Sequence, residues 1–423
     1  MDSYRQRDEE PYDFQPGYDW DSAGRLSDDD IKPKLPRSKA VYVLGTGALG
    51  KFLAYAMRGI REPPPVTLIV HLYSFKREWE VSPKEITFTT GHIKETRTGF
   101  GMQVNQSDAG LDRFMYDEQA SQHGQAFPRR SPSGENSYIE HLIVTVKAPF
   151  VKAALRSVRH RLDRRSTIVF LQNGMGIIEE VNKHLFPDVE SRPRYMAGIV
   201  THGLQSISRF AGTHTGFGTT WLGYMPHTPA EANTLPPTAG YVDLAPSTLY
   251  LYDLLTRIPL LAAVGFDQAE LRMMQLEKLA IRAVIEPLTI MLDGRNGVLT
   301  YNYFITRTIR LLLAEISLVL RSLPELKGLP NVESRFAPER LETLVVRVAS
   351  QTANTISVML GDVRKGSQTE IDYVNGYIVK RGEELGIKCV MNYMMVQLVK
   401  GKHAMTSREV GDAIPFEEEL KWQ

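Results

Sequence analysis

The chain is poor in cysteine, in net charge and in long apolar runs, and each of these shortages excludes a class of protein. It has one cysteine, Cys389, which excludes an internal disulfide and a cysteine-rich zinc site, and we expect this thiol to be a small packing residue. Lysine and arginine number 50 against 49 aspartate and glutamate residues, a net charge of +1. No overall field therefore attracts nucleic acid or an anionic membrane, and we expect neither as a partner.

No run of residues is long and apolar enough to span a bilayer. The best candidate, Leu311 to Leu320, contains Glu315 and is flanked by Arg310 and Arg321. The acidic N-terminal segment lacks both the apolar core of a secretion signal and the arginine-rich character of a transit peptide. We therefore expect a cytoplasmic protein, although these patterns do not address a mitochondrial pool.

A length of 423 residues exceeds what one hydrophobic core usually supports, so we expect two domains. Strands alternate with helices in the first part, which favours an α/β fold with a parallel sheet, while the second part has helical periodicity. We predict an acidic disordered tail, a Rossmann-type NADP-binding domain and a mainly α-helical catalytic domain at residues 1–38, 39–262 and 263–423. An insertion and a proline-rich loop are predicted within the sheet domain, at 105–137 and 225–248.

A glycine-rich turn follows the first predicted strand. The turn and the start of the next helix are formed by Gly45, Thr46, Gly47, Ala48, Leu49 and Gly50. The first glycine permits the tight turn, the second lets a pyrophosphate approach the backbone, and the third allows helix and strand to pack closely. The positive end of the helix would face the phosphates. A purely structural turn is the alternative, but the flanking strand and helix favour nucleotide binding.

The second predicted strand, Val66–Val70, bears on the choice of cofactor. NAD-binding proteins usually carry an acid at the end of this strand, which holds the ribose hydroxyls. This chain has none at that point, and Lys76 and Arg77 follow nearby. Because a cation attracts the 2′-phosphate of NADP and an acid repels it, we predict NADP(H). The alternative is that both residues are solvated surface cations.

Two more apolar runs, 141–146 and 167–171, are predicted strands, and a polar residue comes after each. Lys147 follows the first run and Asn173 the second. Parallel α/β sheets bind ligands at the carboxyl ends of their strands, so both side chains are expected near the site. Asn173 and Gly174 could also form a hairpin turn, but they join a strand to an apparent helix, which makes that interpretation less natural.

The second part carries apolar residues at intervals of three and four, the period of amphipathic helices. The predicted helices are 254–261, 268–292, 303–323, 341–361 and 368–385. In the second of them, Lys278, Arg282 and Glu286 are four residues apart and so lie along one face. Spacing alone favours an exposed face with an Arg282–Glu286 ion pair; the alternative is a polar strip that faces a cleft.

Other polar residues are ambiguous when taken singly. Ser367 and Glu370 have the spacing of a capping box, and capping is the simpler interpretation for Glu370 alone. The histidines, including His202 and His214, show no grouping of metal ligands, so no metal site is predicted. Only the combination of motifs points to a function.

Seven segments, in this order, resemble the ketopantoate reductase (2-dehydropantoate 2-reductase) family, and especially its longer fungal members. They are Gly45–Gly50, Val144–Ala148, Gln172–Gly176, Thr201–Gly203, Glu277–Ala280, Asn296–Gly297 and Thr369–Tyr377. The resemblance runs from Ala40 to about Lys402 and leaves out the tail, the insertion and the loop. It implies a Rossmann-type domain that binds NADPH, a helical domain, and a cleft between them in which a 2-keto acid is reduced.

The resemblance also implies roles for individual residues. Lys278 would be the catalytic general acid, and an ammonium group suits that role because it can stabilise and protonate the oxygen that hydride transfer leaves negative. Lys147, Asn173 and Glu370 would contact the cofactor or complete the closed site, and Asn296 would bind the substrate. The nominal substrate is 2-dehydropantoate, which would be reduced to pantoate.

The chain departs from the family pattern where the substrate would bind. Asparagines are usual one and two turns beyond the catalytic lysine, and Arg282 and Glu286 stand there instead. A serine expected to hold the substrate carboxylate aligns with Val358, although a shift of one residue would bring in Ser357. Arg282 could supply a bidentate carboxylate contact and ease proton release from the lysine, whereas an unpaired Glu286 would repel an acid.

Two functions stay open at this point. One is the NADPH-dependent reduction of a 2-keto acid, and the other is a non-catalytic NADP-binding protein with a binding or regulatory role. Retention of the lysine favours the first, and the changed substrate residues favour the second. The sequence does not fix the oligomeric state, for which a homodimer stays open, or the partner of the tail.

Overall fold

The structure, a computed structural model, describes residue 36 and residues 38–105, 137–227 and 244–412. The predicted tail lies outside the described residues except for residues 36 and 38. The same holds for all but the ends of the predicted insertion and loop, so these three predictions stay untested. None of the helices formed by the described residues combines the length with the apolar character that a membrane span needs.

The first half of the described chain is built on two sheets. The strands are β1 (Val41–Leu44), β2 (Val66–Val70), β3 (Glu85–Thr90), β4 (Ile93–Thr98), β5 (Phe100–Val104), β6 (His141–Val144), β7 (Thr167–Phe170), β8 (Arg194–Val200), β9 (Gly203–Ser208), β10 (Ala211–Gly216), β11 (Thr220–Met225) and β12 (Ala263–Gly265). The large sheet has the order β12-β11-β8-β7-β6-β1-β2-β5. Its strands from β8 to β5 are parallel, and β11 runs antiparallel to β8. The carboxyl ends of β1, β6 and β7 therefore meet at one edge.

Helices cover both faces of the large sheet and form most of the second half. They are α1 (Ala48–Met57), α2 (Tyr73–Val81), α3 (Ala148–Val158), α4 (Ile177–His184), α5 (Pro246–Thr256), α6 (Gln268–Leu292), α7 (Tyr303–Arg321), α8 (Val332–Arg335), α9 (Pro338–Gln351), α10 (Val358–Arg364), α11 (Asn375–Glu384) and α12 (Val390–Asp412). α1 and α5 pack on one face of the sheet, and α3 and α4 pack on the other. The predicted fold class, a Rossmann-type parallel sheet followed by a mainly helical domain, is confirmed.

α6 is the central helix of the second half. It packs against α7, α9, α10 and α12 and also contacts β11 of the large sheet. Leu271 near its start belongs to a core of the large sheet, while Leu276 and Leu279 belong to the helical core. One helix thus spans both halves, so a side chain on its polar face can meet residues from each.

Three predicted helices differ in extent from those in the structure. The predicted helix 254–261 covers only the end of α5 (Pro246–Thr256) and a separate 3-10 turn at Pro259–Leu261. The predicted helix 341–361 is two helices, α9 and α10, because a side chain replaces a backbone partner between them: the Ser357 hydroxyl accepts from Leu360 N and so caps α10. The predicted helix 368–385 is shorter, since a 3-10 turn at Ile371–Tyr373 comes before α11. The break before α10 falls where a polar side chain competes with the helical hydrogen-bond pattern.

A second sheet, with the order β4-β3-β10-β9, packs beside α1. The residues of β4 are nearly all exposed and lack the alternation of a half-buried strand, so no sequence pattern predicts this strand. Lys51 of α1 holds the sheet: its buried ammonium donates to Ser206 Oγ (2.6 Å) and to the carbonyl oxygens of Ser208 and Ala211. Burial lowers the pKa of Lys51 to about 8.

Close contacts set the glycine turn between β1 and α1. The backbone of Gly45 has a φ of +110°, a conformation that residues with a side chain rarely adopt. A Cβ on Gly50 would lie 2.0 Å from the carbonyl oxygen of Gly45, whereas a Cβ on Gly47 would meet no described residue within 4 Å. The fold itself therefore requires Gly50, and only a bound partner can require Gly47.

We predict that Gly50→Ala lowers the free energy of unfolding by about 3 kcal/mol, because a methyl group at this position forces α1 away from β1. Chemical denaturation followed by circular dichroism measures the change. Gly47→Ala is the matched control and should stay within about 0.5 kcal/mol of the parent protein. Equal stabilities of the two variants would contradict the steric argument.

Candidate functional site

The glycine turn opens onto the carboxyl edge of the sheet and fits a phosphate group. α1 begins directly after Gly47, and its first turn contains no acidic residue. The backbone N–H groups and positive dipole end of this helix thus face a place where the missing Cβ of Gly47 leaves room. A dinucleotide pyrophosphate fits this arrangement of Gly45, Gly47 and Gly50.

The end of β2 lies beside the glycine turn, because β1 and β2 are parallel neighbours in the sheet. α2 begins three residues after β2, and it carries Lys76 and Arg77. The Arg77 side chain is exposed. Both residues therefore lie on the helix that follows β2.

Lys278 lies where α6 meets the end of β8. Its ammonium donates to the carbonyl oxygen of Val200, the last residue of that strand, at 3.0 Å. It lines a small cavity together with Asn173 and Arg282, so the structure brings these three predicted residues together. Burial, and secondarily the positive charge of Arg282, lowers the pKa of Lys278 to about 8. An ammonium with such a pKa can both hold and release a proton near neutrality.

Arg282 is held between two carboxylates. Its Nε donates to Glu286 Oε1 at 2.9 Å, and its Nη2 donates to Glu370 Oε2 at 3.0 Å. The side chains of Arg282, Glu286 and Glu370 are only 10%, 7% and 5% exposed. The predicted Arg282–Glu286 pair is therefore present, but the interpretation as an exposed helical face is wrong, since the strip faces the interior.

Glu370 connects the helical half to the sheet. Its Oε1 accepts a hydrogen bond from the backbone N–H of Ala148, at the start of α3 (3.2 Å), while its Oε2 contacts Arg282. The capping-box interpretation with Ser367 is wrong, because no helix begins at Ser367; the helix whose N-terminus Glu370 contacts is α3, far away in sequence. The carboxylate thus stabilises a helix start and an arginine at once.

Lys147 forms a second connection between the halves. It follows β6, and its ammonium lies 2.6 Å from Asp362 Oδ1 on α10. Asp362 is 9% exposed, and burial raises its pKa despite the nearby Lys147. Asp362 is not among the residues that the sequence predicts for the site, although its charge between the apolar Leu360 and Val363 is a usable signal.

Asn296 and Ser357 are buried near the far end of the polar strip. The Ser357 hydroxyl contacts the Thr289 hydroxyl of α6 at 2.7 Å, whereas Val358 is 57% exposed. The shift of one residue considered in the sequence therefore brings Ser357, not Val358, against α6. Asn296 Nδ2 donates to Thr352 Oγ1 at 2.8 Å, and its Oδ1 is buried without a partner among the described residues.

The remaining candidates have structural roles or lie apart from this cluster. Cys389 is a free, buried thiol, as expected of a packing residue. His202 and His214 contact each other through ring nitrogens at 3.1 Å, and no group of three potential metal ligands occurs within the described ranges. A larger cavity of about 330 Å³, bounded by Glu180 and Tyr373, contains none of the residues predicted for the site.

Comparison with protein families gives two matches. The family described as "Ketopantoate reductase PanE/ApbA" matches residues 41–227, and "Ketopantoate reductase PanE/ApbA C terminal" matches residues 270–403. Together the two matches cover well over half of the chain. They include all the charged residues described above, namely Lys147, Lys278, Arg282, Glu286, Asp362 and Glu370.

Several curated proteins are similar over most of their length. A probable 2-dehydropantoate 2-reductase of Schizosaccharomyces pombe is 27% identical, over 86% of this chain and 97% of that protein. The 2-dehydropantoate 2-reductase of Vibrio cholerae is 30% identical, over 61% of this chain and 76% of that protein. A ketoisovalerate reductase of Beauveria bassiana is 24% identical, over 89% and 84%.

Solved structures share the fold. A probable 2-dehydropantoate 2-reductase from Bacillus subtilis superposes with a TM-score of 0.58 at 22% identity, covering 86% of this chain and 99% of that one. D-mandelate dehydrogenase with NADH and anilino(oxo)acetate gives 0.59 at 14% identity, covering 87% and 99%. The solved structures show a shared fold, and the family matches establish the family. The chain belongs to the ketopantoate reductase family.

Proposed function

We propose that this protein reduces a 2-keto acid to a 2-hydroxy acid with NADPH, and that Lys278 is the general acid. The observation that carries the proposal is the position of the Lys278 ammonium, which is enclosed at the carboxyl end of β8 and lines a cavity with Asn173. An acid in this place faces the edge of the sheet at which dinucleotides bind.

The cofactor would lie across the carboxyl ends of β1, β6 and β7. Gly45, Gly47 and Gly50 would accommodate the pyrophosphate, and Lys147 and Asn173 would contact the cofactor farther along the edge. When bound, NADPH supplies the hydride. Lys76 and Arg77 support NADP over NAD, since both are cations on the helix that follows β2 and no acid precedes them there.

The proton would come from Lys278. Hydride addition to a ketone leaves negative charge on its oxygen, which a nearby ammonium stabilises and then protonates. The pKa of about 8 favours this role, because the group is largely protonated at neutral pH and yet gives up its proton more easily than an exposed lysine. Val200 O holds the ammonium in place until a substrate oxygen replaces it.

The substrate carboxylate would bind Arg282. Its Nη1 is buried and has no hydrogen-bond partner in the described part of the chain, while Nε and Nη2 are already engaged. Asn296 and Ser357 would contact the rest of the substrate. Relatives bear the names 2-dehydropantoate 2-reductase and ketoisovalerate reductase, both of which act on 2-keto acids, and we propose 2-dehydropantoate as the nominal substrate.

We expect Lys278→Ala to lower kcat for 2-keto acid reduction by about 10³-fold, since a positioned proton donor contributes about 10²- to 10⁴-fold and charge stabilisation is lost as well. In the parent protein, kcat should fall as the pH rises through about 8, because only the protonated lysine donates. Loss of NADPH absorbance with a panel of 2-keto acids measures both effects. If NADPH binds and no acid is reduced, the protein is a non-catalytic NADP-binding member of the family.

We expect Gly47→Val to weaken NADPH binding at least about tenfold, because its side chain occupies the place of the pyrophosphate. Fluorescence titration with NADPH measures the dissociation constant. Gly401→Val, on α12 at another position where a Cβ meets no described residue within 4 Å, is the matched control and should bind NADPH normally. Unchanged binding by the Gly47 variant would place the cofactor elsewhere.

We expect the double variant Lys76→Ala, Arg77→Ala to lower the preference for NADPH over NADH at least about tenfold, mainly through KM for NADPH, since only NADPH carries the 2′-phosphate. Lys152→Ala, Arg156→Ala on α3 removes two cations from a different helix and should leave the preference unchanged. The ratio of kcat/KM for the two cofactors is the measurement. A ratio that stays the same in the first variant contradicts the predicted phosphate contact.

A further inference from the structure

Six ionisable side chains meet where the helical half joins the sheet. They are Lys147, Lys278, Arg282, Glu286, Asp362 and Glu370. Three are cations and three are anions when ionised, so the fully ionised group is neutral. A neutral, enclosed group has little net attraction for an anion.

A 2-keto acid would bring one further negative charge into this group. The inference rests on the proposed function, since it takes the substrate to be an anion. Arg282 offers a cation to the carboxylate, but the neighbouring Glu286 cancels that charge at 2.9 Å. An uncompensated charge in an enclosed site is costly, and a titratable group commonly relieves the cost by changing its protonation state.

Of the three acids in the group, Glu286 has the ionised form that its neighbours stabilise least. It shares its cation, Arg282, with Glu370, and only its Oε1 has a partner. Its Oε2 is buried and has no hydrogen-bond partner among the described residues. Burial raises the pKa of Glu286 even before a ligand binds.

The other two acids are held more firmly. Glu370 uses both oxygens, one for Arg282 and one for the backbone N–H of Ala148. Asp362 also has one buried oxygen without a partner within the described residues, but its cation, Lys147, lies at 2.6 Å and pairs with no second carboxylate there. A substrate carboxylate that engages Arg282 therefore leaves the pair of Asp362 intact and weakens that of Glu286.

We propose that binding of the 2-keto acid is accompanied by uptake of one proton at Glu286. The proton comes from water or buffer and forms an O–H bond at Oε2; no bond of the substrate changes. Arg282 then has one negative partner fewer, and its Nη1 can hold the substrate carboxylate. Glu286 acts through Arg282 and is thus a positioning residue for the substrate.

The charged groups around Glu286 act in both directions. Glu370, before α11, and Asp362, on α10, favour its protonated form, and the incoming carboxylate adds to them. Arg282 on the same helix opposes protonation. Lys278, two turns away on α6, is the other group that could take up a proton. Its pKa of about 8 means that it is about nine-tenths protonated at pH 7, so its share is small there.

Isothermal titration calorimetry of the full-length protein tests the proposal. The protein is saturated with NADP⁺ and titrated with 2-dehydropantoate at pH 7, a combination that cannot transfer a hydride. Repeating the titration in buffers of different ionisation enthalpy gives the number of protons bound with the acid. We expect between about half a proton and one proton per acid.

Glu286→Gln keeps the shape of the side chain and an acceptor for Arg282 Nε but cannot take up the proton. We expect proton uptake close to zero and acid binding at least as tight as in the parent protein. Glu270→Gln, on the same helix and paired with Arg335, is the matched control and should keep the full uptake. If Asp362→Asn abolishes uptake and Glu286→Gln does not, the proton goes to Asp362 and the assignment is wrong.

Steady-state kinetics give a second measurement. Between pH 6 and pH 7.5, KM for the acid should rise by up to about tenfold per pH unit in the parent protein and stay level in Glu286→Gln, while kcat changes little in either. Binding or turnover without proton uptake overturns this inference and leaves the proposed function standing. Failure of every 2-keto acid in a panel to bind or react overturns both.

Discussion

Arg282 contacts two carboxylates at once, Glu286 on its own helix and Glu370 from beyond α10, and these contacts join the two halves of the candidate site. The guanidinium fixes Glu370, and Glu370 in turn holds the first backbone N–H of α3. A line of hydrogen bonds therefore runs from the central helix of one half to a helix of the other. Buried ion pairs of this kind are strongly destabilised when one partner is removed, because the remaining charge is left uncompensated.

Lys278 lies on the same helix as Arg282 and also reaches the sheet. Lys278 is one helical turn before Arg282, so both side chains project from the same face of α6. The Lys278 ammonium reaches the carbonyl oxygen of Val200, the last residue of β8, at hydrogen-bond distance. A lysine that is enclosed without a carboxylate of its own has a lowered pKa, and this is the property that proton transfer near neutral pH needs.

The sequence predicts those parts of the fold and of the candidate site that local sequence patterns determine. The bounds of α6 follow from apolar periodicity, those of β2 follow from a β-branched run after three prolines, and the glycine turn predicts the junction of β1 and α1. Placement at strand ends predicts that Lys147 and Asn173 lie at the carboxyl edge. These features depend on neighbours in sequence or on the general geometry of parallel sheets, so no long-range information is needed.

What escapes prediction is decided by partners distant in sequence. Arg282 contacts Glu370, which is 88 residues away in sequence. The spacing of residues on one helix cannot predict this contact, so it cannot show whether Arg282 faces water or a cleft. Asp362 becomes recognisable only through Lys147, 215 residues away. Glu370 has the spacing of a local cap, and the structure uses it on a different helix. Polar residues with several local uses are thus the least predictable.

Lys51 has a consequence for the opposite end of the site. It lies in the first turns of α1, and three oxygen acceptors of the second sheet compensate for the burial of its charge. The helix that would receive the phosphates is therefore preorganised, because hydrogen bonds attach its first turns to the second sheet. Affinity for a nucleotide then loses little to the entropy of ordering this turn, because folding has already ordered it.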